Sequence, residues 1–196
     1  MNLPNKLTVL RIVMTPVFLL LLLLDFPFHN LAAGLVFGAA ALTDMIDGKI
    51  ARGRGLITNL GKFLDPLADK MLTTAAFLGF LAEGWLDVWA VMIVLTREFM
   101  VTSVRLVAAK DGTVIAASFA GKTKTVAQFI AILYMIAGLE FVSWQDTLLA
   151  GAGVPDWVYQ AVPLVGRVLI WVSVVLTVIS GLQYLWAYRH YFAEGK

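Results

Sequence analysis

The chain has 196 residues, of which 60% are hydrophobic and only 14% charged, with a formal net charge of +2. A soluble domain carries roughly 25% charged residues, so this composition, with a mean hydropathy of +0.85, excludes an ordinary soluble protein and indicates one that lives in a membrane. There are no cysteines, which excludes disulfides, thiolate chemistry and cysteine-ligated metals.

Six stretches reach the ~20 mostly apolar residues that a helix needs to cross the hydrocarbon: 7–24, 31–49, 62–82, 88–109, 122–142 and 162–188. The first begins with Lys6 and Arg11 ahead of a Leu-rich core, as a signal peptide does. Asp25-Phe26-Pro27-Phe28 is a poor cleavage site, however, so the stretch reads as a span. Gly34 and Gly38 in the second are spaced for close helix packing. His29 and His190 are too isolated to build a metal site. The loop 142–160 is expected along the membrane surface, with Trp144, Trp157 and Tyr159 at the interface. Tyr184, Trp186, Tyr188 and Tyr191 read as a second interfacial belt.

Orientation follows from Lys and Arg. The first, third and fifth connections hold none; they hold Asp25, Glu83, Asp87, Glu140, Asp146 and Asp156. Every basic residue except Arg167 lies on the terminal side or nearer to it. The expected fold is therefore an all-α membrane protein of six transmembrane helices with both termini cytoplasmic. It forms a single domain over 1–196, integral and multi-pass, with no nucleic-acid partner.

Four aspartates gather at the cytoplasmic ends of the second and third spans: Asp44, Asp47, Asp65 and Asp69. On a helix, residues three, four and seven apart share a face. Asp44, Asp47, Gly48 and Ala51 make one stripe, and Gly61, Asp65 and Asp69 another. A short connection makes the two spans antiparallel neighbours, so the stripes can face each other. Gly48, Ala51 and Gly61 leave room for a bulky group against the backbone. Four carboxylates so close raise one another's pKa, and divalent cations relieve that repulsion. An oxygen-only ligand set suits magnesium, calcium or manganese. Two cations ~3.5–4 Å apart are a common arrangement for displacement at phosphorus. Ionisable residues inside a membrane otherwise pair with a neighbouring Lys or Arg, and four in register favour a site over that reading.

The run Asp44-x2-Asp47-Gly48-x2-Ala51-Arg52-x8-Gly61-x3-Asp65-x3-Asp69 resembles the signature of the CDP-alcohol phosphotransferases in every element and gap. The resemblance implies a six-span membrane enzyme, usually a homodimer, in which an acceptor hydroxyl displaces CMP from a CDP-alcohol. It implies two divalent cations, magnesium or manganese, held by Asp44, Asp47 and Asp65, with Asp69 as a further ligand and catalytic base. Gly48, Arg52 and Thr58 match positions that contact the CDP donor. The segment Pro4–Thr8, "PNKLT", resembles one lying beside the nucleotide, which adds Asn5 and Thr8; Ala51 and Gly61 complete the donor set. Arginine also suits a diphosphate on chemical grounds, since it binds phosphate bidentately.

The acceptor is addressed by 95–128. Arg97 and Arg105 lie deep enough in the fourth span to need partners and sit about 80° apart around a helix, so both can line one cavity. Lys122 and Lys124 open the fifth span. A cationic pocket beside the metal site suits an anionic acceptor, most simply a phosphate; the competing reading is internal pairing, with Glu98 on the same face as Arg105. The Arg-Glu pair, the later Arg and "GKTKT" resemble the glycerophosphate-using branch of the same family. That implies CDP-diacylglycerol as donor and glycerol 3-phosphate as acceptor, its phosphate held by Arg97, Arg105 and Lys122, at the cytoplasmic face of a bacterial-type inner membrane. Alternatives are the same chemistry on phosphatidylglycerol or an inositol phosphate, an intramembrane prenyltransferase, and a divalent-cation transporter.

Overall fold

The computed structural model describes residues 3–54, 59–110, 115 and 118–189, apart from the side chains of residues 4, 45–54, 59–63, 65, 66, 69 and 110. Among the described residues all regular structure is helical. In chain order the helices are α1 (Leu3–Leu23), α2 (His29–Arg54), α3 (Asn59–Ala82), α4 (Val88–Lys110), α5 (Phe119–Ser143) and α6 (Asp156–Ala187).

Each helix runs beyond its apolar stretch. α1 begins at Leu3, ahead of the expected 7, because the polar residues before the Leu-rich core have a buried face of their own. α5 is started by Ser118, whose hydroxyl accepts the Gly121 amide at 3.1 Å. That capping bond satisfies one of the orphan amides of the first turn. α6 starts at Asp156 and has 32 residues, ~48 Å of helix against a hydrocarbon thickness of ~30 Å.

α1 packs against both α2 and α3, α5 pairs with α6, and α4 leans on α6 and α3. The centre is filled by Phe18, Leu22, Phe37, Phe77, Ile132 and Ile170, all buried. The Phe37 ring lies 5.4 Å from that of Phe18 and 5.6 Å from that of Phe129, joining α1, α2 and α5. Small residues bring helices close. A Cβ on Gly34 would sit 3.1 Å from the Ile136 side chain, whereas one on Gly38 would meet nothing within 4 Å. Only the first of this expected pair is therefore a packing glycine.

Large apolar side chains also cover the outside, including Leu20, Leu35, Leu78, Trp89, Ile130 and Leu182. Such an outer surface needs a lipid solvent. Three described segments are long and apolar enough to cross a membrane: Asn5–Leu23, Phe119–Ser143 and Asp156–Ala187. α2, α3 and α4 carry the charged residues of the site, which shortens their apolar runs; in α3 that run is Lys70–Ala82. The chain is an all-helical membrane protein.

The described short turns, 24–28 and 83–87, sit at the end remote from the aspartates. Gly84 adopts a φ of 73°, a left-handed conformation glycine accepts without strain. Phe28 has a φ of 64°, unusual for a bulky residue. It packs edge-on against Trp144 at 6.3 Å. The expected surface loop is a run of turns over 144–151. Trp157 is exposed as an interfacial residue should be, but Tyr159 is buried and stacks on Phe141 at 5.5 Å.

Candidate active site

Asn5, Thr8, Arg11 and Thr15 recur every three to four residues along α1 and are all buried, so they form one polar stripe. The Thr15 hydroxyl donates to the Arg11 carbonyl at 2.9 Å. From this stripe the Arg11 guanidinium forms an ion pair with the Asp44 carboxylate on α2. The Arg11 side chain is 3% exposed and that of Asp44 46%. Asn5 and Thr8, expected beside the nucleotide, share the helix face that holds Asp44. Sequence reasoning missed Arg11, taking it as a flanking charge; its register with Asn5 and Thr8 was the available signal.

Asp47, Gly48, Ala51 and Arg52 lie farther along α2, and Gly61, Asp65 and Asp69 lie on α3. Their side chains fall outside the described residues, as does Thr58 entirely. Among the described residues no three acidic or imidazole groups gather as a metal site; of the expected set only Asp44 belongs to them. The donor chemistry fits a hard divalent cation, because every expected ligand is a carboxylate. Asp44 fits too: it is half-exposed and oriented from one side by a buried arginine.

Arg97, Arg105 and Lys122 come together in one cavity of about 400 Å³ between α3, α4 and α5. Lys70, Lys124 and Glu98 complete its charged lining, and Thr102 and Thr125 contribute hydroxyls. Lys70 directly follows Asp69 in the sequence, so the cavity reaches the helix that carries the second aspartate stripe. The start of α5 supplies Gly121 and Lys122. A helix N-terminus carries partial positive charge and favours anions.

Glu98 organises the cavity's cations. It pairs with Lys124, accepts from Arg97 Nη1 at 3.2 Å, and has Lys70 Nζ at 4.0 Å. Arg97 also donates through Nη2 to the Ser180 hydroxyl on α6 at 2.6 Å. Arg105 does not pair with Glu98: its Nε donates to the Tyr184 hydroxyl at 2.9 Å, with its guanidinium carbon 5.6 Å from the centre of that ring. Internal pairing therefore takes up Arg97 and Lys124, while among the described residues Arg105 and Lys122 have no carboxylate partner. Among the described residues of the lining, five cations stand beside one carboxylate.

Ser180 and Tyr184 were not expected here. Tyr184 belongs to no interfacial belt: it is 4% exposed and packs with Val101 and Val104. Trp186, two residues on, is exposed and has Arg189 over its ring, as an interfacial residue should. Tyr191 and His190 lie outside the described residues.

Fold and site together define a helical membrane protein with an aspartate-bearing helix pair beside a cation-lined cavity. That combination suits chemistry on phosphorylated substrates at a membrane surface. Residues 1–179 match the CDP-alcohol phosphatidyltransferase family, and the chain belongs to that family of enzymes. Relatives span nearly the whole length. A CDP-diacylglycerol–glycerol-3-phosphate 3-phosphatidyltransferase of Bacillus subtilis (strain 168) is 38% identical over 93% of each chain. Enzymes of the same name from Rickettsia bellii (strain RML369-C) and Sodalis glossinidius (strain morsitans) are 34% and 33% identical, over 97% of this chain and 97% and 96% of their own.

Proposed function

We propose that this protein transfers the phosphatidyl group of CDP-diacylglycerol to glycerol 3-phosphate, giving phosphatidylglycerophosphate and CMP. The names of its relatives supply the substrates. The observation that carries the reading is the cation-lined cavity, in which Arg105 and Lys122 have no carboxylate partner among the described residues and which reaches the helix of Asp65 and Asp69. A phosphate dianion on the acceptor matches that lining; a neutral alcohol leaves it uncompensated.

In this reading Asp44, Asp47, Asp65 and Asp69 hold two divalent cations, magnesium or manganese. When bound, the ions neutralise the diphosphate and polarise its phosphoryl oxygens. Asn5, Thr8, Gly48, Ala51, Arg52, Thr58 and Gly61 receive the CDP portion of the donor, and Arg52 binds its phosphates bidentately. Arg11 keeps the Asp44 carboxylate aimed at the ligand side. Arg97, Arg105 and Lys122 hold the acceptor phosphate. Asp69 accepts the proton from the primary hydroxyl. That oxygen forms a bond to the phosphorus bearing the diacylglycerol, and the bond from the same phosphorus to the CMP oxygen breaks. The single domain crosses the inner membrane six times with both termini and the site on the cytoplasmic side, and it acts as a homodimer.

Purified, detergent-solubilised protein is incubated with CDP-diacylglycerol, magnesium and glycerol 3-phosphate, and CMP release is measured. Release that requires both acceptor and metal is expected. Release only with phosphatidylglycerol or an inositol phosphate moves the enzyme to another branch. No release with any acceptor, beside tight divalent-cation binding, favours a transporter.

A further inference from the structure

The two cavity arginines stand in different situations. Arg97 has its fork occupied by the protein, Nη1 on Glu98 and Nη2 on Ser180. It is also wedged against α6, where a Cβ on Gly181 would come within 3.0 Å of its Cγ. Arg105 uses only Nε, donated to Tyr184. Its two terminal nitrogens, the pair that grips a phosphate in the fork geometry, have no carboxylate partner among the described residues.

Tyr184 limits how that fork can turn. The phenol oxygen fixes one edge of the guanidinium at 2.9 Å, and the guanidinium carbon lies 5.6 Å from the ring centroid. A planar group held at one edge by a buried hydroxyl loses much of its freedom to turn. Tyr184 is itself held: it is buried among Val101 and Val104, and its ring lies 4.9 Å from that of Tyr188. Ordering an arginine before the ligand arrives removes an entropy cost that binding otherwise meets.

We propose that Tyr184 is a positioning residue for the acceptor phosphate: it acts through Arg105, pre-orienting the guanidinium toward the cavity, and makes α6 part of the acceptor site. This rests on the acceptor reading above and extends it to the last helix.

The test is Tyr184→Phe, which keeps the ring and its packing and removes the hydroxyl. KM for glycerol 3-phosphate should rise about fivefold to tenfold, as expected for one lost ordering hydrogen bond. The KM for CDP-diacylglycerol, kcat and melting temperature should hold within twofold or a degree or so. In an Arg105→Lys background, which has no Nε–H to hold, the same change should add nothing. An unchanged acceptor KM, an equal rise in the Arg105→Lys background, or a fall in melting temperature with both KM values raised overturns the proposal. Calorimetric titration with glycerol 3-phosphate separates it from the reading on which it rests. If wild-type protein binds the anion but releases no CMP, the proposed reaction fails; weaker binding by Tyr184→Phe still supports the positioning role, and equal binding overturns it. No binding by wild-type protein overturns both.

Discussion

The buried guanidinium of Arg11 on α1 holds the half-exposed carboxylate of Asp44 on α2. A carboxylate so placed meets a ligand in a fixed orientation, because its partner sits in a wall that cannot move without repacking α1. Partners that orient a metal ligand typically cost about 10–100-fold in metal affinity or activity when removed. Arg11→Gln is therefore expected to lower CMP release by at least about tenfold at low magnesium, with partial recovery at high magnesium. A magnesium titration of both proteins checks this; superimposable curves remove Arg11 from the site.

Asp69→Asn keeps size and hydrogen-bonding capacity but cannot accept the acceptor proton. General bases contribute about 10²–10⁴-fold, so turnover should fall by that much while binding of CDP-diacylglycerol changes little. Normal turnover in this variant takes the base assignment away from Asp69.

Arg97 and Arg105 should fail differently when truncated. Charge-assisted hydrogen bonds contribute about 1.5–3 kcal/mol, so Arg105→Ala should raise the acceptor KM by about 10–100-fold and leave thermal stability nearly unchanged. Arg97→Ala leaves Glu98 and Ser180 without their arginine in a largely buried setting, and should lower the melting temperature as well as activity. Kinetics and thermal unfolding of the two variants side by side decide the point.

Glu140 is a buried carboxylate far in sequence from all of this. It accepts the Leu31 amide at 3.2 Å, in the first turn of α2, and the Trp144 indole N–H at 2.8 Å. A negative charge at a helix N-terminus is favourable, and removing this one leaves two donors without an acceptor. Glu140→Ala should cost about 1–3 kcal/mol of stability, with all KM values within twofold of wild type. Altered kinetics at unchanged stability contradicts a purely structural role.

Much of the architecture was legible because lipid imposes a simple rule: a crossing segment must satisfy its own backbone and be apolar over ~20 residues. Six apolar stretches accordingly mark the six helices to within about six residues at either end. The start of α1 was displaced because polarity within a helix reads as its end when the neighbour that buries it is unknown; α6 starts six residues early, at Asp156, on a first turn whose Asp156 and Gln160 are exposed. Asn5 looked like an approach to a span and is part of one. Gly34 and Gly38 looked equivalent, yet only one of them faces a neighbouring side chain.

The aspartate run and the basic residues of 95–128 were visible from spacing alone, because residues one turn apart share a face whatever the fold. What spacing cannot supply is the partner from another helix. Arg11 with Asp44, Arg97 with Ser180 and Arg105 with Tyr184 are separated by 33, 83 and 79 positions, and no local pattern relates them. Sequence by itself determined the helices, the lipid-facing chemistry and the residue types at the site. Tertiary packing alone decided which cations Glu98 neutralises and which remain open to a ligand, because charge compensation depends on distance in space and not along the chain.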